Sequence, residues 1–402
     1  MPRVFEFPAI LSTSTLLLAL GAAGCIVLPG SDTDSESGTD GDSTTSASGS
    51  EDTGSGDETD SSDDGPPPPT ERAVDILFVV DNSGSMGEEQ AKLALGIDAL
   101  VTALDAADPP VDYRIAVTTT DNGNPWCAGG SPESGSFQAT SCQGRLTDFV
   151  FQGASVIDLT EEACLAICDH EDLGLTVPWL DVAHSAGTTN APAGDVLGAL
   201  RCMLPQGING CGFEQPLESL SLALQRADTP SDDNNGFRRP GALLAVAIVT
   251  DEVDCSSNPA HDSIYLPEGN RVFWSDTQAP APTSAVCWNA GVQCTGSGVY
   301  DECHAVDLGE DGNPVVGDPA QDAVLRPLAG YIDDLTSRGA YVIAINGVGS
   351  DGQPVYADAA GDPIFQGDFG IGPGCSSAVG EAVPPVRIRE LVDTVTGPGN
   401  LH

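Results

Sequence analysis

Asp75-Ile76-Leu77-Phe78-Val79-Val80-Asp81-Asn82-Ser83-Gly84-Ser85-Met86-Gly87 joins an unbroken apolar run to a tight group of oxygen-bearing side chains. Ile76 to Val80 are β-branched or aromatic apart from Leu77, which suits a strand buried on both faces at the centre of a parallel, helix-covered sheet. Ligands bind at the carboxyl ends of such strands. Asp81, Ser83 and Ser85 alternate there along a turn that Gly84 and Gly87 are expected to let bend sharply, so one carboxylate and two hydroxyls converge. Hard oxygens meeting at a point suit magnesium, calcium or manganese.

A second stretch has the same form: Leu243-Leu244-Ala245-Val246-Ala247-Ile248-Val249-Thr250-Asp251 is another apolar run ending on a carboxylate. Together the two resemble the metal-ion-dependent adhesion site of von Willebrand factor type A domains. The wording Cys211-Gly212-Phe213-Glu214-Gln215 and Asp251-Glu252-Val253-Asp254-Cys255 is similar to the cysteine-containing version in envelope lipoproteins of myxobacteria and their relatives. The resemblance covers residues 71–402. It implies a three-layer, doubly wound α/β fold with a mostly parallel sheet, in which Asp81 and Asp251 face one crevice where strand order reverses. It also implies Asp81, Ser83, Ser85 and Asp251 as ligands of Mg2+, with Ca2+ or Mn2+ as alternatives. The family's remaining ligand, a loop threonine, is missing: Gly207-Ile208-Asn209-Gly210-Cys211-Gly212 stands where Gly-Thr-x-Gly-Cys-Gly is expected. Isoleucine has no oxygen to offer. Asn209 or Glu214 could substitute, water could fill the position, or the site could be weakened or lost. A shifted loop register would instead bring in Thr118, Thr119 or Thr120.

Residues 1–24 read as an export signal, with an apolar stretch too short and too interrupted to span a membrane. Its end, Ala22-Ala23-Gly24-Cys25, resembles a bacterial lipobox, which makes Cys25 the expected lipidated residue. Ile26, in place of aspartate, points to the outer membrane of the cell envelope. Residues 25–70 read as a stalk: Ser31 to Asp64 contain only Ser, Thr, Gly, Asp, Glu and one Ala, a composition that cannot build a core. The formal charge is −46, from 60 acidic and 14 basic residues, which excludes nucleic acid as a natural partner and favours solubility.

Residues 71–402 alternate predicted strands and helices, with insertions at about 120–190 and 255–316. Helices are expected over Glu88–Asp105, Val196–Leu204 and Pro327–Ser337, and starting near Pro216 and Pro385. Further strands are expected at Tyr113–Thr118 and Tyr341–Ile345, with Leu146–Phe151 as an antiparallel edge beside the former. Eleven cysteines follow Cys25, and in an exported chain they read as disulfides, the odd number leaving one unpaired or joined to another chain. Cys127 with Cys142 and Cys202 with Cys211 are the expected local bridges. Cys164 and Cys168 lie too far apart along a helix to bridge each other, and export argues against zinc between them and His170. The later insertion is a candidate partner-selecting surface, its cysteines expected to make up for a missing core.

The sequence holds no nucleophile elbow, no His-Glu-x-x-His helix and no phosphate-cradling loop, and His170, His184, His261, His304 and His402 are scattered. The expectation is therefore a surface lipoprotein, not an enzyme, that binds a protein or other acidic ligand through a divalent cation. The alternative is a metal-independent envelope scaffold with a degenerate site.

Overall fold

The apolar run forms β1 (Arg72–Val80), buried from Val74 onward. In this computed structural model the described residues are 72–127, 130–152, 156–377 and 380–402; the signal, the stalk and Cys25 lie outside them. Asp75, a carboxylate inside the buried run, is answered by Arg239, whose Nε and backbone N–H donate to its two oxygens at 2.8 and 2.6 Å.

β1 is the inner strand of a six-stranded sheet. The others are β2 (Val111–Thr119), β3 (Leu180–Ala183), β4 (Thr188–Thr189), β5 (Leu243–Val249) and β6 (Tyr341–Ile345). Their order is β6-β5-β1-β2-β3-β4, parallel from β6 to β2 and antiparallel beyond. The strand antiparallel to β2 is therefore β3, not the expected Leu146–Phe151. Leu180 and Val182 alternate inward with period two, as a half-buried strand near the sheet border requires. The Leu146 region is a 3₁₀ segment (Cys142–Phe149), and Val150–Gln152 pairs with Val156–Asp158 in a separate small hairpin.

Alternation along β1 divides the core. Ile76, Phe78 and Val80 pack with α1 (Gly87–Asp105) and α2 (Val196–Met203), where Ile97, Leu100, Leu104, Leu200 and Met203 are buried. Leu77 and Val79 pack with α3 (Pro216–Asp228), α4 (Leu328–Arg338) and α5 (Val386–Val395) through Leu220, Leu224, Leu335, Ile388 and Leu391. The insertion after Asp251 does have a core of its own, a correction to the expectation: Phe213, Tyr265, Trp274 and Trp288 pack around Cys255 and Cys287. The Trp274 indole N–H also finds the Ile264 carbonyl at 2.7 Å.

Five disulfides join described residues: Cys127–Cys211, Cys142–Cys164, Cys168–Cys202, Cys255–Cys287 and Cys294–Cys303. Cys164 and Cys168 each pair elsewhere, as expected. The two expected local bridges do not form, because the fold brings Cys211 to the loop after β2 and Cys202 to the segment around Cys168. The sulfurs of Cys142, Cys164 and Cys168 lie within 4.8 Å of one another, but as members of two disulfides and not as metal-binding thiolates. No described cysteine is free, Cys375 included, so the unpaired thiol expected from the odd number is not found. At the outer border the closing residues run along β6: the Ala344 N–H donates to the Asn400 carbonyl at 3.0 Å and the His402 N–H to the Ala344 carbonyl at 2.9 Å.

Candidate functional site

β1 and β5 run in parallel register, Val80 opposite Val249, so their carboxyl ends deliver Asp81 and Thr250-Asp251 side by side. The Asp81 backbone N–H extends the ladder by donating to the Val249 carbonyl at 2.9 Å. Its carboxylate is fully buried: Oδ1 accepts from the Ser83 N–H at 2.7 Å and Oδ2 from the Thr250 hydroxyl at 2.5 Å. The hydroxyls of Ser83 and Ser85 come within 3.3 Å of each other, the first buried and the second exposed. Asp251 is half-buried, and its Oδ1 is cut off from water without a hydrogen-bond partner.

The turn does not depend on glycine in the way expected, since neither Gly84 nor Gly87 has a positive φ. Gly87 sits in a tight space: a Cβ there would lie 2.2 Å from Leu159 Cδ1, which would have to move aside, and 3.3 Å from Ile208 Cγ2. The loop carrying Ile208 thus lies against the Asp81–Gly87 segment. Its Gly210 N–H donates to the Asn82 carbonyl at 2.9 Å, and a Cβ on Gly210 would meet Asn82 Oδ1 at 2.4 Å. Ile208 is fully buried, Asn209 is exposed, and Glu214 is fully buried. The Thr120 hydroxyl donates to Glu214 Oε2, while Oε1 has no partner. Thr118 and Thr119 are engaged elsewhere, with the Ser136 carbonyl at 3.0 Å and Glu133 at 2.6 Å.

Sequence reasoning missed Gln90, a buried residue in the first turns of α1. Its Nε2 donates to the carbonyls of Asp81 and Gly207, both at 2.7 Å, and its Oε1 accepts from the N–H groups of Gln206 and Gly207 at 2.7 and 3.0 Å. One side chain thereby fixes the loop to the end of β1. No pattern around Gln90 marks this role, because it depends on a loop distant in sequence. Thr250 was legible in principle, standing next to Asp251 at the end of a buried strand. The later insertion reaches the site through Ser284, whose hydroxyl lies 2.9 Å from Glu252 Oε2 and 3.2 Å from the Gly212 carbonyl.

The electrostatics are one-sided. Burial raises the Asp81 carboxyl above the usual range, with Thr250 and Ser83 opposing. Burial and then repulsion from Asp81 push Asp251 up to about 8. Burial with repulsion from neighbouring carboxylates, Asp81 among them, holds Glu214 and Glu252 well above their ordinary value. Among the described residues no Lys or Arg nitrogen forms an ion pair with Asp81, Glu214, Asp251 or Glu252. The orphaned Asp251 Oδ1, with no protein cation beside it, is an oxygen that a hard divalent ion would satisfy together with Asp81 and the two serine hydroxyls, although no three carboxylates among the described residues lie within 4.8 Å of one another.

Fold and site define a mixed α/β protein whose central, mostly parallel sheet gathers buried carboxylates and hydroxyls at the carboxyl ends of two neighbouring strands. No family model and no curated protein matches the chain. Among solved structures it is similar to the pilus adhesin SpaC of Lactobacillus rhamnosus GG in its open conformation, with 11% identity and a TM-score of 0.32 over 82% of this chain. The match covers 27% of that structure's own length.

Proposed function

We propose that the chain carries a von Willebrand factor A-like, three-layer module that binds a partner through a divalent cation held by Asp81, Ser83, Ser85 and Asp251. The observation that carries this reading is the buried, partnerless Asp251 Oδ1 beside Asp81, a pair of carboxylates with no protein cation. A bound ion would supply an open coordination position, which an acidic side chain of a partner can complete. Asp81 orients the Ser83 backbone and the Thr250 hydroxyl, Ser83 and Ser85 present their hydroxyls together, and Gln90 holds the flanking loop. Ser284 and the insertion behind it stand at the rim, where a partner would be selected.

The reading is of a binding protein, anchored in the outer membrane through Cys25 and reaching outward on its stalk, and not of an enzyme. Capture of partners from envelope extracts should be lost with a chelator and lost again with Asp81→Ala. Capture that survives both would favour the metal-independent scaffold, the reading that Ile208 supports. Retention of mature-length Cys25→Ser in the membrane fraction would remove the lipid anchor from the proposal.

A further inference from the structure

We infer that Cys168 is a switching sulfur: once a dithiol opens its bridge to Cys202, its thiolate exchanges into the neighbouring Cys142–Cys164 disulfide, and the loop carrying Ile208 is loosened. No bound ion is required for this exchange, so it stands apart from the metal-dependent reading.

The two bridges meet at their sulfurs. Cys168 Sγ lies within 4.8 Å of both Cys142 Sγ and Cys164 Sγ, and the Ser141 hydroxyl is 3.3 Å from it. All four cysteines are buried in the core that faces α1 and α2. Beside Cys202 stands His170, whose backbone N–H donates to Cys202 Sγ at 3.4 Å and whose partly exposed ring reaches Asp195, the N-cap of α2, at 3.1 Å. His170 thus brings the Cys168–Cys202 bridge within one residue of the surface, and its N–H stabilises a thiolate leaving from Cys202.

One dithiol balances the exchange. Its first thiolate attacks Cys168 Sγ and Cys202 leaves as thiolate; its second sulfur then closes the reagent's own disulfide and frees Cys168, so the reagent is oxidised by two electrons and the bridge reduced by two. The Cys168 thiolate next attacks Cys142 Sγ. The Cys142–Cys168 bond forms, the Cys142–Cys164 bond breaks, and the Cys164 thiolate takes up the proton that Cys168 gave up. Cys142 is the sulfur attacked because Cys164 sits one turn before Cys168 on the same segment, with the Cys168 N–H donating to its carbonyl at 2.9 Å, and a bridge there would strain that turn.

Both bridges hold the loop that carries Ile208. Cys202 lies in the last turn of α2, which runs directly into it. The 3₁₀ segment that begins at Cys142 clasps the same loop: Arg145 donates to the Pro205 carbonyl and, at 2.8 Å, to the Gln206 carbonyl, and the Asp148 carbonyl accepts from the Ile208 N–H at 2.7 Å. Freeing Cys202 and drawing Cys142 towards Cys168 disturbs both anchors at once.

The test is disulfide mapping by peptide mass spectrometry after native alkylation with N-ethylmaleimide, on full-length wild type titrated with dithiothreitol and on Cys202→Ser without reductant. Both should yield a Cys142–Cys168 peptide with Cys164 alkylated. In both, amide hydrogen exchange from Gln206 to Gly210 should be at least about tenfold faster than in untreated wild type. In the titrated wild type, alkylated Cys168 and Cys202 with Cys142–Cys164 intact overturns the inference, as does a Cys142–Cys164 bridge that opens first, or a chain that unfolds before either bridge opens. That arm decides alone where Cys202→Ser fails to fold. A folded Cys202→Ser alkylated only at Cys168 also overturns the exchange, and a Cys142–Cys168 bridge with unchanged loop exchange overturns the switch.

Discussion

On the metal-dependent reading proposed above, Ile208 takes the place where a ligand oxygen is expected, and its surroundings show what holds an apolar side chain there. The side chain is fully buried beside Gly87, and its backbone N–H donates to the Asp148 carbonyl at 2.7 Å, so an apolar residue fits the loop. Ile208→Thr should raise affinity for a divalent ion by about five- to thirtyfold, as a neutral oxygen contributing about 1 to 2 kcal/mol would. Asp81→Ala should abolish binding in both backgrounds, and calorimetry on the four variants checks both statements. Gln90 carries the complementary expectation. Gln90→Leu strips partners from two carbonyls and two N–H groups, and should cost about 3 kcal/mol or more of stability in urea denaturation.

At the scale of elements, the cysteine bridges hold the insertions to the helices. Cys168–Cys202 closes a separation of 34 residues and ties the first insertion to α2. Replacing both residues by alanine should lower stability by about 3 to 4 kcal/mol, measured by denaturation without reductant. Strands β1, β5 and β6 and helices α1 and α3 were legible in the sequence because each carries its own period or an unbroken apolar run. So was the placement of Asp81 and Asp251 at neighbouring strand ends, because each stands immediately beyond such a run. The pairing of Cys202 and Cys211 was not legible, because partners are chosen by proximity in the fold and not by spacing along the chain. Nor was the inward turn of Glu214 against the outward one of Asn209, since both are polar loop residues and only the packing around Thr120 distinguishes them. The Leu146 region misled because a short apolar segment satisfies a 3₁₀ turn and a strand equally well.

For the molecule as a whole, four buried carboxyl groups at one site set the expected response to pH. Asp81, Glu214, Asp251 and Glu252 all have native carboxyl groups raised above their unfolded values. With metal removed, the native state keeps protons that the unfolded chain has released, so native proton occupancy exceeds unfolded occupancy between the ordinary carboxylate range and about 8, the value for Asp251. Stability must then fall as pH rises through that window. Thermal unfolding in chelator should show this decline from about pH 4 to about pH 8, and added CaCl2 should reverse it by binding the deprotonated form.

The strip formed by Asn400 to His402 along β6 has a consequence for life in a crowd. A bare outer strand would offer its N–H and carbonyl groups to any neighbour. Here one border is already occupied by the chain itself and the other tapers to the two residues of β4. Two copies meeting border to border therefore find few free N–H and carbonyl groups with which to extend their sheets.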